Sequence, residues 1–195
     1  MKRRPLLLGL GAGAATLLLA RRFPALAQTD SGTLTEADIQ QMRENWRRLV
    51  PADADLPTLD TPLQTTREQW RERLSAEAYR VLFQEGTEPA YTSPLNDEHR
   101  PGVFVCAACE LPLFTSAMKY DSGTGWPSFF TVIPDHVGTK TDYKLVWPRT
   151  EYHCARCGGH QGHVFEDGPS PTNLRYCNNG VALGFLPADT EEALT

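Results

Sequence analysis

Apolar and polar residues change their period along this chain near residue 100. Before it, Ile39, Met42, Trp46 and Leu49 recur at spacings of three and four, which draws one apolar stripe on a helix. Thr35-Glu36-Ala37-Asp38 reads as a capping box, so a helix is expected from there through about Leu49, its stripe serving as a docking face. Residues 51–62, rich in Pro, Asp and Ala, read as a linker. A second helical start, Thr66-Arg67-Glu68-Gln69, leads into Trp70 and Leu74, and Ser75 opens another short turn through Leu82 that ends by Gly86. From Gly102 onward the helical spacing is lost. Residues 103–105, 128–133, 141–147, 163–165 and 181–185 form short β-prone runs punctuated by Gly, Pro, Asn and Asp. The pattern predicts a mainly β, antiparallel body with short helices on its N-terminal side.

The first 27 residues follow neither pattern. Lys2, Arg3 and Arg4 precede an apolar or small run over 6–20, and Ala25-Leu26-Ala27 offers a small-x-small cleavage site before Gln28. The run is shorter than the roughly 20 residues that a membrane-spanning helix needs. Arg3-Arg4 followed by Pro5-Leu6-Leu7 resembles a twin-arginine export signal, and Arg21-Arg22 fits that route better than general secretion. Residues 1–27 are therefore expected to be a signal peptide and the protein to be periplasmic or otherwise exported, with no stable membrane span after cleavage; an uncleaved anchor is the alternative. Cleavage would remove five of the 19 basic residues and none of the 24 acidic ones, leaving 14 against 24 and a net charge of −10. That balance argues against a nucleic-acid partner, which would draw on clustered Lys and Arg. The remaining length suits one domain with a real core, divided here as a helix and linker over 28–64, a main body over 65–188 and a tail over 189–195.

Chemistry enters with the five cysteines. Cys106/Cys109 and Cys154/Cys157 are two C-x2-C pairs, each able to present two thiolates on one tight turn and together a tetrahedron for a zinc ion. Four sulfur ligands leave no open position, so the site should be structural, stapling strands of a larger sheet. Disulfide pairing, which an oxidising compartment favours, is the rival. His153 beside Cys154 reads as a strand residue rather than a fifth ligand. Cys177 is left over, in Arg175-Tyr176-Cys177-Asn178-Asn179, shortly after His160 and His163.

Gly123-Thr124-Gly125-Trp126-Pro127-Ser128-Phe129, Arg149-Thr150-Glu151, the run from Cys154 to Phe165, Asp167-Gly168-Pro169, Pro171-Thr172-Asn173 and Leu174-Arg175-Tyr176-Cys177-Asn178-Asn179 together resemble the methionine-R-sulfoxide reductases, the MsrB family, over about residues 66–187. The resemblance implies two antiparallel sheets with a structural zinc at one end, away from Cys177. It also implies reduction of methionine-R-sulfoxide, within proteins, by Cys177, which attacks the sulfur and becomes a sulfenic acid. A sulfoxide needs its oxygen protonated before a thiolate can displace it, so nucleophile and acid must be paired. His160 and His163 match the residues that bind and protonate that oxygen. Arg175, His160 and His163 are the groups available to lower the Cys177 pKa. Asp167 and Asn179 match positions that organise the pocket, with Arg175 close by. Trp126 matches the residue packed on the substrate methyl group, and Phe129 in the same segment is a second substrate contact.

The chain departs from the family at three positions and over one segment. Many members carry a resolving cysteine where Thr124 stands, so the sulfenic acid should be reduced by an external thiol, from a thioredoxin-like or other donor. Gln161 replaces a residue that is usually apolar, which should make the pocket wall more polar. Phe83 stands where relatives often have Arg, and residues 28–64 have no counterpart. A monomer is expected. Two other functions compete: a zinc-stapled binding module without catalysis, and a Cys–His hydrolase, for which no oxyanion hole or acyl site is visible.

Overall fold

Local sequence accounts for the helices. The computed structural model describes residues 34–143 and 147–189; the expected signal peptide and residues 190–195 of the tail lie outside them. The Thr35 hydroxyl accepts from the Asp38 amide and Asp38 bonds back to the Thr35 amide, opening α1 (Glu36–Glu44). The helix stops at Asn45, and a 3-10 turn (Trp46–Leu49) takes the place of its expected last turn. Asn favours such an end because its side chain competes for backbone hydrogen bonds inside a helix. Thr66 and Gln69 form a second capping box at α2 (Arg67–Arg73). Ser75 caps α3 (Ala76–Gln84), which ends on Glu85 in the left-handed conformation.

The stripe on α1 docks on its own body. Ile39 is 2% exposed, Met42 and Trp46 pack against the core, and Trp46 meets His136 edge-on at 5.5 Å. Arg43 Nε donates to Thr131 Oγ1 at 2.7 Å. The linker then passes the first C-x2-C turn, where Arg156 donates to the carbonyls of Thr61, Pro62 and Cys109. Ile39→Ala is expected to lower stability by about 2–4 kcal/mol, the cost of a cavity at a buried aliphatic site, read as a lower urea midpoint with an unchanged slope.

Among the described residues nine strands follow: β1 (Gly102–Cys106), β2 (Pro112–Thr115), β3 (Lys119–Tyr120), β4 (Ser128–Phe129), β5 (Val137–Asp142), β6 (Arg149–Cys154), β7 (His160–Phe165), β8 (Arg175–Asn178) and β9 (Leu183–Pro187). They form two antiparallel sheets, β2-β1-β9 and β3-β4-β8-β7-β6-β5. Of the strand expected over 141–147, β5 includes 141 and 142 and residues 144–146 lie outside the described ones, and of 128–133 only the first two residues form a strand. Residues 180–182 make a 3-10 turn before β9. The core lies between the sheets, where Phe114 stacks on Phe129 at 3.9 Å and Phe104 meets Phe129 edge-on at 5.1 Å. No helix among the described residues is long and apolar enough to cross a membrane.

Candidate active site

One row across the six-stranded sheet brings Cys177 and His163 side by side. Lys140 pairs with Glu151, Glu151 with His163, His163 with Cys177, Cys177 with Ser128 and Ser128 with Tyr120. Directly opposed residues of neighbouring strands project on the same face, so Cys177 and His163 share a surface. The next row, Phe129 with Tyr176 and Tyr176 with Val164, projects on the opposite face. Phe129 is fully buried there among Phe104 and Phe114, and its expected substrate contact is excluded. The strands meet closely enough that β7 needs glycine beside the nucleophile. A Cβ on Gly162 would collide with the Cys177 carbonyl.

Cys177 is half-buried. Burial pushes its thiol above the ordinary value; the Arg175 charge, the Thr124 hydroxyl and an Arg175 hydrogen bond pull the other way, and Asp167 adds to the rise. The net direction reverses the expectation of a lowered pKa, because desolvation of the thiolate outweighs its neighbours. The histidines are not among the lowering groups; Arg175 is. Its guanidinium is 8% exposed, is held by Asp167 through two 2.8 Å bonds and stacks over Phe165 at 4.3 Å. Asp167 thus fixes the Arg175 guanidinium in place.

Each histidine is paired with a carboxylate. His163 Nε2 lies 2.9 Å from Asp142 Oδ2, which also accepts from Arg149 at 2.6 Å. His160, 2% exposed, has Nδ1 3.1 Å from Glu151 Oε1. Glu151 is also buried and lies 3.3 Å from Lys140 Nζ, which reaches Glu85 at 2.6 Å. Burial lowers the His160 pKa, and Glu151 works against it. A carboxylate on one ring nitrogen fixes the other to face the opposite way and strengthens the imidazolium. Glu151→Gln is expected to lower kcat by about ten- to a hundredfold, measured on a folded variant of unchanged melting temperature.

Trp126 and Asn179 are tied together by Glu88. The Trp126 indole donates to the Glu88 carbonyl at 3.2 Å, and the ring is half-buried. The Glu88 amide donates to Asn179 Oδ1 at 3.0 Å, and its buried carboxylate accepts from the amides of Gly180 and Val181. Asn179 Nδ2 donates to the Gln161 carbonyl. Asn179 thus links Glu88 to β7. Gly125, at φ +86°, lets the Trp126 loop pass under Tyr91, whose ring a Cβ would strike at 2.8 Å.

The four paired cysteines converge. Their sulfurs all lie within 4.8 Å of one another, with Cys106–Cys157 at 3.6 Å and Cys109–Cys154 at 3.5 Å. A tetrahedron of Zn–S bonds of about 2.3 Å spans sulfurs at close to this spacing, whereas a disulfide needs about 2.05 Å. The donor set fits zinc. Cys106 closes β1 and Cys154 closes β6, so the cluster joins the two sheets. His153 pairs with Gly138 in the sheet and is not part of it.

The SelR domain matches residues 74–187 of this chain, more than half of it. The chain belongs to the SelR-domain family. Its relatives include the peptide methionine sulfoxide reductase MsrB of Thiobacillus denitrificans, 49% identical over 132 residues that cover 67% of this chain and all of that one. The protein of that name from Leptospira interrogans is 50% identical, covering 60% and 91%, and that from Leifsonia xyli is 52% identical, covering 63% and 89%. Among solved structures, the Yippee-like domain of Mis18 is 18% identical over 47% of this chain and all of that one; its TM-score of 0.37 is too low to bear on the fold.

Against that SelR-domain frame the three departures find their places. The Thr124 hydroxyl is near enough to lower the Cys177 pKa, so the position is in reach of Cys177. Phe83 packs between Trp70 and Tyr79 under the Arg67 guanidinium, a helix contact away from the site. Gln161 is fully buried and turns toward Cys106, not into the pocket wall as expected, since the β6–β7 register shifts at Tyr152/His153 and the bulge breaks the alternation of β7 at Gln161. Asp142, Glu151 and Glu88 are the site residues that sequence reasoning misses.

Proposed function

We propose that the protein reduces the R epimer of methionine sulfoxide in oxidised polypeptides. The observation that carries this reading is the shared row of Cys177 and His163, with carboxylate-paired His160 beside it. The Cys177 thiolate attacks the sulfoxide sulfur while an imidazolium delivers a proton to the oxygen. The oxygen passes to Cys177 as a sulfenic acid and the methionine thioether leaves, so two electrons move from cysteine to substrate. An external thiol then condenses with the sulfenic acid to a mixed disulfide and water, and a second thiol frees Cys177 as the donor is oxidised to its disulfide. Trp126 takes the S-methyl group against its ring. Zinc, held by Cys106, Cys109, Cys154 and Cys157, supplies a structural staple. Residues 1–27 direct export.

The pKa directions give this chemistry a pH profile. Activity requires thiolate and imidazolium together. Below the His160 pKa the imidazolium is present and the thiolate fraction grows about tenfold per unit, so kcat/KM rises. Between a His160 value lowered by burial and a Cys177 value raised by burial the two fractions change in opposite directions, giving a plateau. Above the Cys177 value the rate falls. The expected result is a plateau spanning neutral pH, with alkylation of Cys177 titrating at its alkaline edge; a Cys177 that titrates below the ordinary thiol range removes this account.

Two experiments test the reading. Separated R and S epimers of a peptide methionine sulfoxide are reduced with dithiothreitol as donor, and turnover confined to R supports it; turnover of neither by folded, metal-loaded protein ends it. Thr124→Cys should make the donor step internal. One substrate turnover without added thiol is expected to leave a disulfide between the introduced thiol and Cys177, seen as a loss of about 2 Da that dithiothreitol reverses.

A further inference from the structure

Gln161 is a fully buried amide set between the metal cluster and the strand that carries Cys177. A chain of donors runs through it. Tyr152 Oη donates to Asn178 Oδ1 at 2.6 Å, Asn178 Nδ2 donates to Gln161 Oε1 at 3.4 Å, and Gln161 Nε2 donates to Cys106 Sγ at 3.4 Å. The direction is fixed at its middle. Asn178 Nδ2 also donates to the Asn179 carbonyl at 2.7 Å, which makes Asn178 Oδ1 the acceptor for Tyr152 and leaves the Gln161 carbonyl facing Asn178. The Gln161 NH2 group can then only face the sulfur.

Four thiolates around Zn2+ carry two net negative charges, and burying them requires N–H donors directed at sulfur. Gly159 supplies one to Cys157 from its backbone at 3.4 Å. Cys106 is fully buried, where water cannot take the donor's place. We propose that Gln161 is a positioning residue of the metal centre, donating a hydrogen bond to the metal-bound Cys106 sulfur in an orientation set by Asn178 and Tyr152. The main chain of Gln161 also accepts from the Asn179 amide and side chain at 2.8 and 2.9 Å. One residue thus ties the metal centre to the segment flanking the nucleophile.

The inference rests on the zinc reading, and the experiment separates the two. In protein loaded with 113Cd, the Gln161 side-chain amide protons are expected to show scalar coupling to the metal through the N–H···S bond. In zinc-loaded Gln161→Leu, which keeps the volume and removes the donor, metal transfer to a chromophoric chelator is expected to run about ten- to a hundredfold faster than in the parent protein. A folded cadmium protein without the coupling overturns the proposal, as does a release rate within twofold of the parent. A parent protein that binds neither metal at the four thiols overturns the zinc reading and this proposal with it.

Discussion

Cys177→Ser is expected to lose at least about a thousandfold in R-sulfoxide reduction while folding and binding metal as before. The size follows from the step removed. A serine alkoxide is far less available than a thiolate and cannot take up oxygen as a sulfenic acid, so neither half of the redox cycle has a path. The remaining groups, His160, His163 and Trp126, could bind the sulfoxide but have no electrons to give it. Fold retention follows from placement. Cys177 is half-buried on the His163 face of β8, outside the aromatic core, and a hydroxyl of similar size can take its place beside Arg175 and Thr124. The melting temperature should stay within about 2 °C. Activity is read with dithiothreitol, so a loss cannot be blamed on the donor. Retained turnover would make one of the paired cysteines the nucleophile and break the division of labour between the two sets.

The site is more legible in the sequence than the sheet that builds it. Cys177, His160 and His163 stand in dense local motifs, and so do the four metal-binding cysteines. The strands β6 and β8 are hidden by the same residues. Arg149–Cys154 and Arg175–Asn178 put charged and polar side chains where an amphipathic strand would show an apolar face, because here that face is the active site. Phe129 is misplaced by the sequence for want of parity. Its neighbour Ser128 pairs with Cys177 while Phe129 pairs with Tyr176, and a one-residue step reverses the face. Asp142 and Glu88 leave no signal because single carboxylates have no spacing, and Glu151, though it stands in the Arg149-Thr150-Glu151 segment, shows nothing there of its pairing with a histidine. Asp142 and Glu151 meet the histidines only through the register of β5, β6 and β7, and Glu88 meets Asn179 across 91 residues.

Removing the metal is expected to cost more stability than any single core substitution. The cysteines come from two turns, one leaving β1 in the three-stranded sheet and one joining β6 to β7 in the six-stranded sheet, so the cluster fastens the layers whose facing sides bury Phe104, Phe114, Phe129 and Tyr152. Structural zinc supplies about 10–16 kcal/mol of folding free energy in small peptides. Half of that, at about 2–4 °C per kcal/mol for a domain of this size, places the fall in melting temperature at about 10–30 °C. Chelated protein and Cys106→Ser should both show it by calorimetry, and elemental analysis of the parent should give one zinc per chain. Loss of activity should track loss of metal, since β7 and β8 carry His160, His163 and Cys177 and the second knuckle leads directly into β7. A chelated protein that melts with the parent and still turns over would show that sheet packing alone holds the row, leaving the four thiols without a stabilising role.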